Sequence, residues 1–316
     1  MGAGMPSACS SSMSSMSRMS RIAVLALLLG GCNIDIIDCI DFGQGCGPPA
    51  ISLTRPLLAD NETSQGVAIG GLYPLSVHGG LGDVTVDGAD HVTVASILGV
   101  TVNVRGRSEG QDKLEIRQGE SVAVDWVRVL PLARVALVPR ELAFVRLAAP
   151  PPYTLLAGSE AELVVRLLGA DGARLIDQSL TVEDDGGAAE PTRWDAFRVT
   201  ADTGFAIDVI AAGRAFGFTV PVATAIQDIV SVSGGDVADI GAVPEGRLAL
   251  VCFAAVAAGL HVAGVSWQIE GVGVSVPNHG SLAAGGCVHV ANPEDGQALR
   301  VRAGGLERTV TLRSAR

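Results

Sequence analysis

The chain has 316 residues, a formal net charge of −11, 48% hydrophobic residues and only 4% aromatic ones. Apolar content near one half, with 40 glycines, excludes a disordered chain, and an acidic balance without a basic cluster excludes a nucleic-acid binder. At about 100 to 150 residues per domain the length suffices for two or three units.

At the start, Arg18 and Arg21 precede the aliphatic run Ile22 to Leu29, which closes on "LLGGC". A positive flank followed by a short apolar run is the layout of a secretory signal. As a helix the run is about 15 Å long, half of a ~30 Å hydrocarbon core, so export is expected in place of a membrane span. Leu29, Gly30, Gly31 and Cys32 resemble the lipobox of bacterial lipoproteins. The resemblance implies that residues 1–31 are a lipoprotein signal peptide and that Cys32 is acylated. It further implies that the acyl chains hold the protein on a lipid bilayer in the bacterial cell envelope. At ~0.8 kcal/mol per buried methylene, two or three chains anchor stably. Asn33, where an aspartate would be the retention residue, implies the outer membrane by the same resemblance. Removing the leader takes away two arginines and no acid, making the net charge two units more negative than −11. Met16 and Met19 are alternative starts before the same run.

Residues 32–50, "CNIDIIDCIDFGQGCGPPA", read as the lipidated tether, solvated by Asp35, Asp38 and Asp41 and stiffened by Pro48 and Pro49. Besides Cys32, the tether carries Cys39 and Cys46, and Cys252 and Cys287 follow far downstream. An even set outside the cytoplasm implies disulfides, and four cysteines allow three connectivities. Nearest-neighbour pairing, Cys39 with Cys46 and Cys252 with Cys287, is the simplest.

Beyond the tether, period-two alternation dominates. It predicts strands at "VTVNV" (100–104), "FAIDV" (205–209), "FGFTV" (216–220), "VSWQI" (265–269) and "LRVRA" (299–303), each with one wet face. Turns are expected at "GADG" (169–172), "AAGRA" (211–215) and "AGGLER" (303–308). The fold class is therefore all-β, with sandwich domains at 51–131, 132–223 and 224–316. "RLALVCFAAVAAGLHVAGV" is the most apolar later stretch, but alternation, Gly259 and His261 make it strand, turn, strand. A closing hairpin recurs at about 90-residue spacing in the last two domains.

The third domain resembles bacterial immunoglobulin-like domains in "GRLALVCFAAVAAGLHVAGVSWQIEG", "GSLAAGGCVHVAN" and the final hairpin. The resemblance covers about 75 residues. The second domain shares the order but has Leu180 where the tryptophan stands. The resemblance implies tandem immunoglobulin-like sandwiches, with the strands bearing Cys252 and Cys287 side by side. Alternation groups Cys252 with Leu248 and Leu250, taken as inward, and Cys287 with His289, opposite Val288 and Val290. A bulge near Gly285 and Gly286 would reconcile the two faces.

Chemistry-bearing constellations are sparse. Cys287, His289 and His279 could ligate a metal, as could His91 with Asp87 and Asp90; oxidation of the cysteine and a solvated Asp-Gly turn account for the same residues. "EDDGG" (183–187) lacks the spaced oxygens of a calcium loop. No Gly-x-Ser-x-Gly, Walker or His-Glu-x-x-His motif is present. No metal, cofactor or catalytic residue is therefore assigned. Trp126, Trp194 and Trp267 could stack on sugars. Trp267 is expected in the core, and Trp194 is the ligand-contact candidate. The expectation is a non-enzymatic envelope lipoprotein, structural or binding an envelope protein or glycan. The alternatives are a surface adhesin or polysaccharide binder and an envelope hydrolase with an unrecognised site.

Overall fold

Alternating side chains build most of the described residues as strands. In a computed structural model, the described residues are 51–59, 64–143, 152–185, 189–232, 237–241, 248–277 and 286–314. The signal peptide, the tether and Cys32, Cys39, Cys46 and His279 lie outside them. The first stretch carries β1 (Ser52–Thr54), β2 (Gly66–Ala68), β3 (Leu72–His78), β4 (Val84–Asp87), β5 (Val92–Leu98), β6 (Thr101–Gly106), β7 (Gly110–Gln118) and β8 (Ser121–Leu130). The second carries β9 (Arg134–Pro139), the short helix α1 (Arg140–Ala143), β10 (Tyr153–Leu156), β11 (Glu160–Leu168), β12 (Arg174–Ile176), β13 (Thr181–Asp184), β14 (Ala189–Arg193), β15 (Ala196–Thr200), β16 (Phe205–Ala211), β17 (Arg214–Val220) and β18 (Val222–Ala223). The third carries β19 (Asp228–Ser231), β20 (Val237–Gly241), β21 (Leu248–Ala257), β22 (Leu260–Ala263), β23 (Trp267–Glu270), β24 (Val274–Ser275), β25 (Cys287–Ala291), β26 (Ala298–Ala303) and β27 (Leu306–Ser314). The chain is all-β, as the alternation predicts.

Each stretch packs two sheets around an apolar cluster. In the first, β1-β3-β6-β5 faces β8-β7-β4 over Leu75, Val102, Val104, Leu114 and Ile116. In the second, β13-β16-β17 faces the sheet of β9, β11, β14 and β15 over Leu163, Phe197, Ile207 and Val209. In the third, β20-β27-β26-β23 faces β22-β21-β25-β24 over Val251, Val290, Leu299, Val301 and Val310. Two-residue hairpin turns with both residues at positive φ join strands at Ala212-Gly213, Ala258-Gly259 and Gly304-Gly305. Such turns match the right-handed twist of the flanking strands. The closing hairpins β16–β17 and β26–β27 thus use the same turn.

The sheets do not stop where one sandwich ends. Strand β2 pairs in parallel with β8 on one side and with β12 on the other, fusing the first and second sandwiches into one nine-stranded sheet. Successive residues of a strand point to opposite faces. Val67, Val129 and Ile176 accordingly enter the first cluster, while their neighbours Ala68, Leu130 and Leu175 enter the second. The second junction repeats the device. Strand β10 pairs in parallel with β18 and β22; Leu155 and Ala263 belong to the second cluster, and Leu156 and Val262 to the third. Parallel strands buried on both faces are the expected form of such a wall.

Buried carboxylates clip loops to this frame. Asp177, fully buried, accepts the amides of Leu72 (2.9 Å), Ser179 (2.9 Å) and Ala212 (2.6 Å), tying the first sandwich to a hairpin of the second. Asp112 accepts the amides of His91 (2.8 Å) and Val92 (2.9 Å). Asp195 accepts the amide of Ala59 at 2.6 Å. A buried carboxylate is tolerated when donors satisfy its oxygens.

Candidate functional site

The outward face of β4, β7 and β8 is the best-developed surface among the described residues. In antiparallel pairs, residues directly opposite share a face. Trp126 lies across from Lys113, Val124 from Glu115, and Val122 from Arg117; Asp87 and Thr85 continue the rows on β4. Trp126, Val122 and Val124 are 54, 46 and 44% exposed, forming an apolar stripe. Beside it the charges neutralise one another. Glu115 receives Lys113 Nζ (3.3 Å) and an Arg117 nitrogen (3.1 Å), and Arg117 also approaches Asp87 at 3.6 Å. Under the stripe, Asp125 is buried and takes the guanidinium of Arg55, which also donates to the Trp126 carbonyl at 3.2 Å. That hydrogen bond to Asp125 holds the Arg55 pKa above its ordinary value. The face combines a stackable indole with planar polar groups, the chemistry that grips the apolar side of a sugar ring or an apolar protein surface.

Trp194, the ligand-contact candidate of the sequence, is half-buried against the apolar cluster of the first sandwich. Its neighbours explain the placement. Arg193 donates to the Leu57 carbonyl (2.6 Å) and Asp195 holds the Ala59 amide, so residues 193–195 clasp a segment of the first sandwich. Trp267 is half-buried against the third cluster, as expected, with its indole over Gly286. A cleft of ≈ 390 Å³ opens beside Trp267, lined by Gln268, Arg302, Leu306 and Glu307. Its Glu307 is held below the usual carboxylate range, first by the hydrogen bond from Arg302 (2.6 Å), and so stays an anion, not an acid.

Cys252 and Cys287 are directly opposite each other in β21 and β25 and are bonded as a disulfide. The face assignment expected from the sequence is inverted. Ala249, Val251 and Phe253 are buried, while Leu248 and Leu250 are exposed on the side that carries Cys252. Cys287 and His289 alternate with the core residues Val288 and Val290, so both cysteines share the outer face without a bulge between β21 and β25. His289 lies across from Leu250 and Ser275. His91 stacks its ring edge against Gly110 and pairs Nδ1 with Ser108 Oγ at 3.1 Å, closing a turn. No group of three or more His, Cys, Asp or Glu among the described residues is arranged to hold a metal ion.

One enclosed acid stands apart. Glu141 on α1 accepts the Gly264 amide at 2.8 Å, linking the second and third sandwiches. Burial pushes its pKa up to about 7. It borders a cavity of ≈ 10 Å³ with Phe253, His261 and Trp267, about the space of one water. His261 Nδ1 is buried there with no hydrogen-bond partner among the described residues, and burial lowers its pKa.

No protein-family model matches the chain, and no curated protein does. Among solved structures it is similar to domains 4–9 of the surface layer protein SbsC, at 15% identity over 85% of this chain and 48% of that one, TM-score 0.29. The chain spans about half the length of that fragment. It is also similar to FdeC, an Escherichia coli adhesin, at 13% identity over 86% of this chain and 100% of that one, TM-score 0.20. A three-domain fragment of titin, I67–I69, gives 8% identity over 86% and 100% of the two chains, TM-score 0.20. The class defined by the coordinates themselves is an all-β protein of tandem two-sheet sandwiches with fused sheets. Among the described residues no helix is long and apolar enough to cross a membrane.

Proposed function

We propose that the chain is a non-enzymatic lipoprotein of the bacterial cell envelope, acylated at Cys32, held on the outer membrane, and serving as a stiff structural or binding module. The observation that supports the mechanical part is the sharing of sheet walls between successive sandwiches. A module of this kind holds its successive sandwiches in a fixed relation to one another, which flexibly linked domains do not. The anchor is tested by labelled palmitate. Label enters the wild type and not Cys32→Ser; equal labelling overturns the assignment.

A second reading, glycan or polysaccharide adhesion, is favoured by the exposed Trp126 stripe with its neutralised polar border. Saturable binding on a glycan array, lost in Trp126→Ala and retained in Trp194→Ala, would establish it. Binding indifferent to Trp126 would end it.

A further inference from the structure

The first sandwich is open along one side. Both of its sheets end there, at β4 and at β5, and among the described residues neither strand has a partner on its outer side. An unpaired edge presents a row of backbone donors and acceptors that only another extended chain satisfies well. Val94 and Ile97 lie on the core-facing side of β5, opposite the buried Val104 and Val102, yet each is 39% exposed because the facing sheet does not reach over them. Leu98, on the other side of β5, is 68% exposed. Between the two edges runs a groove of ≈ 470 Å³, bordered by Val84, Ile97, Val100 and Gln118. Gln118 is itself buried, and its Oε1 has no hydrogen-bond partner among the described residues.

We infer that β5 pairs with β5 of a second copy of this chain, joining the two four-stranded sheets edge to edge about a two-fold axis. Charge selects this occupant. The chain carries a net charge of −11, so most faces of two copies repel, but residues 92–104, "VTVASILGVTVNV", contain neither a charge nor a proline. The usual guards of an exposed edge, lysine, proline or an inward charge, are therefore missing from it. The strand is also its own complement. An antiparallel β5–β5 pair places Val94 and Ile97 of both copies on one face, where they close the open side of both cores, and an isologous contact of this kind is self-limiting. The one guard present is the register shift between Val94 and Ser96, which leaves Ala95 unpaired and divides the strand. Pairing accordingly centres on the half that borders the groove, Ser96 to Leu98. So short a contact is weak in free solution and gains from the high effective concentration of molecules confined to one surface.

The inference goes beyond the anchoring proposed above, and palmitate labelling reads that separately. The test is hydrogen exchange and sedimentation velocity on the full chain in detergent across a wide concentration range. Expected are a concentration-dependent dimer and protection of the Ser96 to Leu98 amides that appears with it. Ile97→Lys is expected to weaken the dimer by about tenfold or more. Leu98→Lys changes a side chain already largely in solvent and so leaves the core intact; it should weaken the dimer as well, by adding like charge. A monomer at every concentration, a dimer without protection of these amides, or a dimer indifferent to both substitutions overturns the inference.

Discussion

Val67 and Ala68 are neighbours in β2 and belong to two different hydrophobic cores. The first sandwich takes the valine and the second takes the alanine, and both side chains are fully buried. Leu175 and Ile176 stand in the same relation in β12. Neither core can melt without stripping one face from the wall it shares.

The first two sandwiches should therefore unfold as one cooperative unit. Leu175→Ala removes a buried side chain of the second cluster and is expected to cost about 2–5 kcal/mol. In calorimetry the transition should shift as a whole, with fluorescence from Trp126 in the first sandwich following the same curve. Two separate transitions, only one of them displaced, would contradict the shared wall.

Gly106→Ala tests the close approach at that junction. A Cβ there collides with the carbonyl of Ala68, a backbone atom that cannot swing aside. Chemical denaturation should show a loss of about 1–3 kcal/mol, the range for overpacking a core. The exposed Gly213→Ala change meets no neighbour, and its cost comes only from the positive φ of the turn.

Asp177→Ala leaves three amides, those of Leu72, Ser179 and Ala212, without their acceptor. The expected loss is about 3 kcal/mol or more, since buried donors left unsatisfied bear their full desolvation cost. The proportionate effect on urea midpoints should exceed that of exposed Asp171→Ala, whose carboxylate meets Arg128 at the surface.

Stability should respond to Glu141 in a defined direction. Its folded pKa, about 7, stands above the ordinary value of 4.5, so its contribution is full below about 4.5 and is lost as pH rises through about 7. The size is at most on the order of 3 kcal/mol. His261 acts oppositely, because a lowered folded pKa withdraws stability as pH falls below the ordinary 6.5. Arg140 on α1 pairs with Glu162, and Glu160 on the adjoining β11 pairs with Arg198. Glu141→Gln keeps an acceptor for Gly264 and should flatten the decline of the melting temperature between pH 5 and 8.

The disulfide closes a loop with a sequence separation of 35. In the chain-entropy model its loss costs about 4 kcal/mol. Cys252→Ser with Cys287→Ser should lower the urea midpoint accordingly, and thiol counting on the denatured wild type should find neither cysteine free.

The predicted strands were legible because apolar and polar residues alternate along them. Val102 and Val104, Ile207 and Val209, and Leu299 and Val301 are buried at the alternate positions that the pattern selects. Turns at Ala212-Gly213 and Gly304-Gly305 were legible from their glycines. The shared walls were not. Strand β2 is three residues, "GVA", buried on both faces, and alternation carries no signal where both sides are dry. The face of Cys252 was misread because leucine was taken as the better core residue, whereas Phe253 and Val251 fill the third core and leave Leu248 and Leu250 outside. Trp126 was hard to place for a related reason. Asp125, its neighbour, is the residue that turns inward, and it does so because Arg55, 70 positions away, supplies the counter-charge.

The fused wall has an evolutionary corollary. Proteins strung from independent domains lengthen or shorten by recombination at the linkers, since each cut passes between finished cores. Here a cut near residue 131 would strand Ala68 and Leu130 beside an absent neighbour, and one near 223 would do the same to Leu156 and Ala263. Within residues 51–316 the exchange of whole sandwiches is thereby disfavoured, and a different spacing there would have to arise by reshaping loops.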